Sequence, residues 1–165
     1  INRVADVIAS GKSNPYDGKP IFTDRCGSCH RLYSSGGNIG PDLTSYQRSN
    51  KETMLLHIIN PGAEIREGFE SFVVLTEDGR VVTGFKADED EKVLVIRVAE
   101  GQAVSLNKEE VDEIKPSVKS LMPDGLLTDL SDQQLRDLFA YFQTTQPLVG
   151  EKQFREQQLL EKQSQ

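Results

Sequence analysis

Cys26-Gly27-Ser28-Cys29-His30 gathers both cysteines of this 165-residue chain and one of its two histidines within five positions. Cys-x-x-Cys-His is the attachment sequence of c-type haem. In that chemistry the two thiols add across vinyl groups as thioethers, and the adjacent imidazole reaches the iron from one side. Cysteines three apart on an emerging helical turn set both sulfurs near one edge of the macrocycle. Three other readings meet the same residues. A redox dithiol normally opens a helix after a strand in a βαβ unit. A zinc site would have to recruit Cys26, Cys29, His30 and His57, with His30 crowded against Cys29. A chance match is the third.

Two further signals follow in order. Gly40-Pro41-Asp42-Leu43 begins ten residues beyond His30. A free carbonyl beside a rigid proline can accept the proton of the imidazole's other nitrogen, the usual device for fixing a ligating ring; without the haem motif the same four residues read as an ordinary turn. Ser120-Leu121-Met122-Pro123 then offers a neutral, polarizable thioether suited to the sixth iron position, and His/Met ligation raises the reduction potential. Pro123 stiffens the loop that presents the sulfur. A lone methionine is commonly core filler, whereas one followed by proline, ahead of a helix and downstream of a haem motif, reads as a ligand. Met54 and His57 compete for that role. Met54 lies on an apolar helical stripe, so packing accounts for it, and His57 at the stripe's flank is expected at the surface or the haem edge.

The elements that must position these groups fall into distinct stretches. Val4, Val7 and Ile8 suggest a short first helix, Gly11 to Asp17 a linker, and Gly18 to Cys26 a helix with Pro20 near its start. Ser34 to Asn38 reads as a polar loop. Ser49 and Glu52 form a capping-box pattern before Met54, Leu55, Ile58 and Ile59, and Pro61-Gly62 stops that helix. Phe72–Thr76, Arg80–Lys86 and Lys92–Val98 read as strands, with Ala103–Leu106 and Val111–Ile114 as two short additions. Asp78-Gly79 and Glu100-Gly101 mark hairpin turns. The run Asp88-Glu89-Asp90-Glu91 is expected as a solvated turn. Leu130, Ser131 and Gln134 combine a staple with a capping box, and Leu135, Leu138, Phe139 and Phe142 repeat at helical spacing. In the polar tail, Phe154, Leu159 and Leu160 could anchor a docked helix.

Composition narrows the function classes. Leu, Ile, Val and Phe make up 27% of the chain, enough for a core, and no apolar run approaches the ~20 residues of a membrane span. A net charge of −7 argues against nucleic acid as a partner. Residues 1–68 hold 8 basic and 7 acidic side chains, 69–115 hold 6 and 12, and 116–165 hold 5 and 7, so the acidity sits in the strand-rich middle. The chain begins at Ile1 without an initiator Met or signal peptide, the expectation for a processed product or an excised domain.

Together Gly18-x-x-x-Phe22, the Cys26–His30 motif, Gly40-Pro41-Asp42-Leu43, Met122-Pro123 and Leu138-Phe139-Ala140-Tyr141-Phe142 resemble a class I monohaem cytochrome c. Ile59-Asn60-Pro61-Gly62-Ala63-Glu64-Ile65, the Asp-Gly hairpin and Ser120–Pro123 narrow the likeness to haem-binding domains at the C-terminal end of large predicted membrane-bound dehydrogenases, over roughly residues 12–145. The resemblance implies that the first and last helices cross, with Gly18 and Phe22 against Leu138 and Tyr141.

The fold expected is a mainly α cytochrome c fold with an inserted small antiparallel β-sheet or barrel, α+β overall. Its parts would be a leading helix and linker (1–17), a haem domain (18–68 with 116–146), a β subdomain (69–115) and a polar tail (147–165). Met122 follows His30 by 92 residues, and removing 69–115 leaves 45. The strand pattern resembles Sm-like small barrels, which says nothing about function.

Cys26, Cys29, His30, Pro41, Leu43 and Met122 are the expected binding residues for one covalent haem c, with His30 and Met122 on the iron and no catalytic residue. The expected activity is one-electron transfer from a dehydrogenase to a respiratory carrier. The alternatives are a haem enzyme or gas sensor with a displaceable Met122, and a non-haem interaction module built on the acidic strands. Covalent attachment implies a periplasmic or exported location.

Overall fold

The computed structural model describes residues 2–99, 101–150, 152, 154–156 and 160. Among the described residues, the helices α1 (Asn2–Ala9), α2 (Pro15–Arg25), α3 (Lys51–Ile59) and α4 (Asp132–Phe142), of 8 to 11 residues, pack around one core, and tail residues 152, 154–156 and 160 are helical as well. Between α2 and α3 runs a minimal hairpin of β1 (Arg31–Leu32) and β2 (Ser35–Gly36). Between α3 and α4 come β3 (Ser71–Thr76), β4 (Val81–Glu89), β5 (Val93–Arg97), β6 (Ala103–Asn107) and β7 (Val111–Pro116), which form an antiparallel sheet in the order β6-β5-β4-β3-β7. Among the described residues, no helix is long and apolar enough to cross a membrane.

This arrangement overturns the expectation of a mainly α cytochrome c fold. The five-stranded sheet is the largest element and the chain is α+β. Capping residues flank α2, α3 and α4, and residues 117–130, which carry the Met-Pro motif, contain no helix or strand.

Local chemistry explains most boundaries. α2 starts at Pro15, earlier than the Gly18 start expected, because the Asn14 side chain accepts a hydrogen bond from the Tyr16 N–H at 3.1 Å and Pro15 tolerates the first helical position. Pro20 is therefore inside the helix, and the Tyr16 carbonyl that it cannot serve accepts from the Arg155 guanidinium at 3.2 Å. Asn50, not Ser49, caps α3, its side chain accepting from the Thr53 N–H at 3.1 Å. The Ser131/Gln134 capping box on α4 is present.

α2 and α4 make the closest helix contact. A Cβ on Gly18 would fall 1.9 Å from the Asp137 carbonyl oxygen, so only glycine lets the two backbones meet. Beside it the Phe22 ring lies 5.4 Å from Tyr141 and 5.8 Å from Phe142, centroid to centroid. The Asp137 carboxylate, buried, accepts from the Asn14 N–H at 2.7 Å and from Gln133 at 2.9 Å, tying the start of α2 to α4. In the tail, Phe154 stacks on Tyr16 at 4.2 Å and Leu160 is exposed, while Leu159 lies outside the described residues.

The sheet has its own core of Val74, Leu94, Ile96 and Leu106. β6 and β7 are its opposite edges, yet only the single 3-10 turn Lys108–Glu110 joins them. Flat edges five strands apart would be separated by ~19 Å, whereas three linking residues reach ~14 Å, so the sheet must curl toward a barrel. Asp88 and Glu89, expected in a turn, belong to β4 beyond a bulge. Glu89 accepts from Lys108 at 2.7 Å and Lys86 at 2.8 Å, and these bonds hold its carboxyl down to about 2. At Glu100-Gly101, Glu100 lies outside the described residues; Gly101 turns with φ +84°, its N–H donating to Val98.

Replacing Gly18 with Ala forces the two helices apart. The expected loss is at or above the upper end of roughly 1–3 kcal/mol, read from urea unfolding. An unchanged midpoint would show that the close approach is not needed.

Candidate cofactor-attachment site

Cys26 terminates α2. Its N–H and that of Gly27 both donate to the Phe22 carbonyl at 2.8 Å, while the N–H groups of Cys29 and His30 return to the Cys26 carbonyl at 3.1 and 2.8 Å. The pentapeptide is thus one tight turn hung from the C-terminal end of α2. Arg25, next to it, forms a bidentate pair with Asp129 at 2.9 and 2.7 Å and links this end to the loop that follows Met122.

Beyond His30 the chain folds back on the motif. Gly37 donates to the Gly27 carbonyl at 2.8 Å, Gly40 to the Cys29 carbonyl at 2.9 Å, and Leu43 to the Arg31 carbonyl at 2.8 Å. Gly40 lies against the imidazole itself: a Cβ there would come within 2.6 Å of Cε1 and 2.8 Å of Nδ1. His30 Nδ1 lies 2.9 Å from the Pro41 carbonyl oxygen. A carbonyl can only accept, so Nδ1 carries the proton and Nε2 keeps its lone pair. Burial lowers the His30 pKa against the opposing Pro41 bond, which favours the neutral ring. The result is an imidazole with fixed orientation, fixed tautomer and one donor nitrogen free.

The two cysteines are half-buried and unbridged. Burial, with the neighbouring Cys29 second, pushes the Cys26 thiol up to about 12. Activated redox thiols lie at helix N-termini with depressed pKa values; Cys26 has the opposite setting, at a helix C-terminus and protonated. Among the described residues no group of three or more His, Cys, Asp or Glu side chains is placed to hold a metal ion, so the four-residue zinc arrangement is not assembled.

Direct contact joins His30, Gly40 and Pro41. Cys26, Leu43 and Met122 meet through the helical core instead: Leu43 is buried in it, and half-buried Cys26 and Met122 pack against it. Met54 is buried in the same core, as a packing residue. His57 is engaged elsewhere. Its Nδ1 lies 2.5 Å from the Tyr46 hydroxyl, and Nε2 lies 3.5 Å from the Glu64 carboxylate.

Two cavities, of about 400 Å³ beside Tyr16 and Thr144 and about 300 Å³ beside Ile58 and Leu127, are lined by neither the cysteines nor His30. Donor chemistry defines the site, not cavity volume. That donor set fits haem: two free thiols three residues apart, a bare imidazole nitrogen, and a thioether on the same apolar core.

Several supporting residues carry no sequence signal. Arg48 donates to the carbonyls of Phe142 and Thr144 at 2.5 and 2.7 Å, closing the C-terminal end of α4, and stacks over Tyr33 at 5.3 Å. The Tyr33 hydroxyl also donates to Thr144, at 2.5 Å. Their partners lie roughly a hundred residues away, beyond the reach of any local pattern.

No protein-family model and no curated protein matches the chain.

Gly40→Ala drives a methyl into the imidazole. The expected outcome in nitrogen–proton NMR is loss of the slowly exchanging His30 Nδ1–H, with a stability cost of roughly 1–3 kcal/mol. Retention of that proton at its original shift would mean that the ring is not held by Gly40 and Pro41.

Proposed function

We propose that this chain carries one haem c, bound through thioethers to Cys26 and Cys29 and ligated by His30 and Met122, and that it serves as a one-electron carrier rather than an enzyme. The observation that carries this reading is the Nδ1–H bond of His30 to Pro41 beside two unbridged thiols. It leaves a single imidazole nitrogen ready to bind a metal beside two thiols outside any disulfide, of which Cys29 accepts a 3.7 Å bond from the Ser28 hydroxyl. The raised thiol pKa of Cys26 argues against dithiol exchange at pH 7.

When bound, haem supplies reversible one-electron chemistry. The chain's own residues do the rest. The Pro41 carbonyl keeps the proton on Nδ1 and raises the basicity of Nε2. Gly40 leaves room for the ring to lie flat. Leu43, Phe22 and Leu138 keep water from the apolar side, which limits reorganisation when charge changes. Met122 would supply a thioether ligand, which would keep exogenous ligands out and favour the reduced state.

The donor proposed is a dehydrogenase, with a respiratory carrier as acceptor and a periplasmic or exported location, as covalent attachment requires. Kinship with the haem-binding domains of predicted membrane-bound dehydrogenases is proposed on the motifs alone.

The test is matured protein on a denaturing gel stained for haem, with intact mass. Wild type should retain one covalent haem, and Cys26→Ala/Cys29→Ala should lose it entirely. Met122→Ala should keep the pigment, lose the far-red iron–thioether band and bind carbon monoxide rapidly when reduced. A colourless wild type sinks the proposal, and a coloured wild type that binds carbon monoxide as fast as Met122→Ala returns the site to a sensor or enzyme.

A further inference from the structure

Three side chains are both polar and buried below 6% exposure among the described residues: Ser71, Thr76 and Asp137. Two have clear local duties. Thr76 closes the β3–β4 turn through Asp78 and the Arg80 backbone, and Asp137 ties α2 to α4. Ser71 is different. It is the first residue of β3 and 1% exposed, yet its hydroxyl turns away from the sheet and donates to the Lys119 carbonyl at 3.0 Å. Its own carbonyl accepts from the Ser117 N–H at 2.7 Å.

That contact begins a continuous path to Met122. The Ser117 hydroxyl donates to the same Lys119 carbonyl at 3.1 Å and accepts from the Lys119 N–H at 3.1 Å, folding 117–119 into a turn. Ser120, next along, accepts from the Met122 N–H at 3.1 Å. Residues 117–123 have no helix or strand of their own, and Val118 within them is 88% exposed. Their shape is therefore set by these bonds, and Ser71 is the buried end of the path. The turn between β5 and β6 also comes near the opposite loop: a Cβ on Gly101 would lie 3.3 Å from Ile39 Cδ1, next in sequence to the Gly40-Pro41 pair that holds His30.

We propose that Ser71 is a positioning residue for Met122: through Lys119 and Ser120 it anchors the loop presenting the thioether to the β-sheet, so that the sheet sets how firmly the second axial position is held. This rests on the haem reading above. The sheet is then more than an appendage. It braces the methionine loop with a hydrogen bond whose donor, Ser71, is buried.

The experiment compares Ser71→Ala, Ser117→Ala and, as a control on the same sheet, the exposed Ser105→Ala, all as matured holoprotein. Ser71→Ala should keep covalent haem while its far-red band weakens and carbon monoxide binds the reduced protein roughly five- to tenfold faster, the factor that one lost net hydrogen bond represents. Amide exchange should speed up locally over residues 117–122. Ser117→Ala should move the same readouts in the same direction, which keeps the test valid should Ser71→Ala fold poorly, and Ser105→Ala should match wild type. If Ser71→Ala and Ser117→Ala lower the melting temperature but leave the band, the carbon monoxide rate and the local exchange unchanged, the serines are merely structural and the assignment falls. A colourless wild type would instead overturn the haem reading, and this assignment with it.

Discussion

The bare backbone contact between Gly18 and Asp137 is the constraint on which the site depends. It fixes how α2 crosses α4, and the position of α2 decides where the turn of Cys26 to His30 emerges. A side chain at position 18 would displace the origin of every donor group downstream. The contact also explains the company it keeps. Asp137 is buried with its carboxylate on the Asn14 N–H, so the same turn of α4 that meets Gly18 also caps the start of α2. Phe22 and Tyr141 then fill the space one turn further along.

From that crossing the chemistry follows by elimination at single atoms. The Pro41 carbonyl has no proton to give, so His30 must give one, and the ring's other nitrogen is left with its lone pair. Gly40 omits a side chain that would strike the ring. Histidine orientation is thus set by backbone groups, which have no rotamers to lose, while the thioether of Met122 is presented by a loop stabilised through serine hydroxyls. His30 and Met122 are held in unequal ways: the first by the fold's backbone, the loop of the second by serine hydroxyls, of which that of Ser71 belongs to the sheet.

Sequence reasoning reached whatever is written locally. The Ser131/Gln134 capping box, the Asp78-Gly79 turn and the period of Leu135, Leu138, Phe139 and Phe142 need only neighbours within a few residues, and all three features are present. Pro41 could be paired with His30 because eleven residues separate them. Where two local signals competed, the nearer cap prevailed: Asn50 over Ser49, and Asn14-Pro15 over a start at Gly18. The mainly α expectation failed because the recognisable motifs sit on helix ends and loops, so they reveal donor chemistry without measuring how much of the chain is strand. Ser71, Arg48 and Asp137 were out of reach for a different reason, since their partners lie 48, 94 and 123 residues away.

The sheet leaves and rejoins the helical part at nearly one point. Phe72 pairs with Pro116, and the Ser117 N–H reaches the Ser71 carbonyl at 2.7 Å, so the outgoing and returning chains are hydrogen-bonded neighbours about 5 Å apart. Topologically the 46 positions from 71 to 116 are a loop drawn shut at its neck. Such a segment can be lengthened, shortened or exchanged for another folded unit without changing the distance its host must bridge, which makes this junction a natural grafting point in the polypeptide.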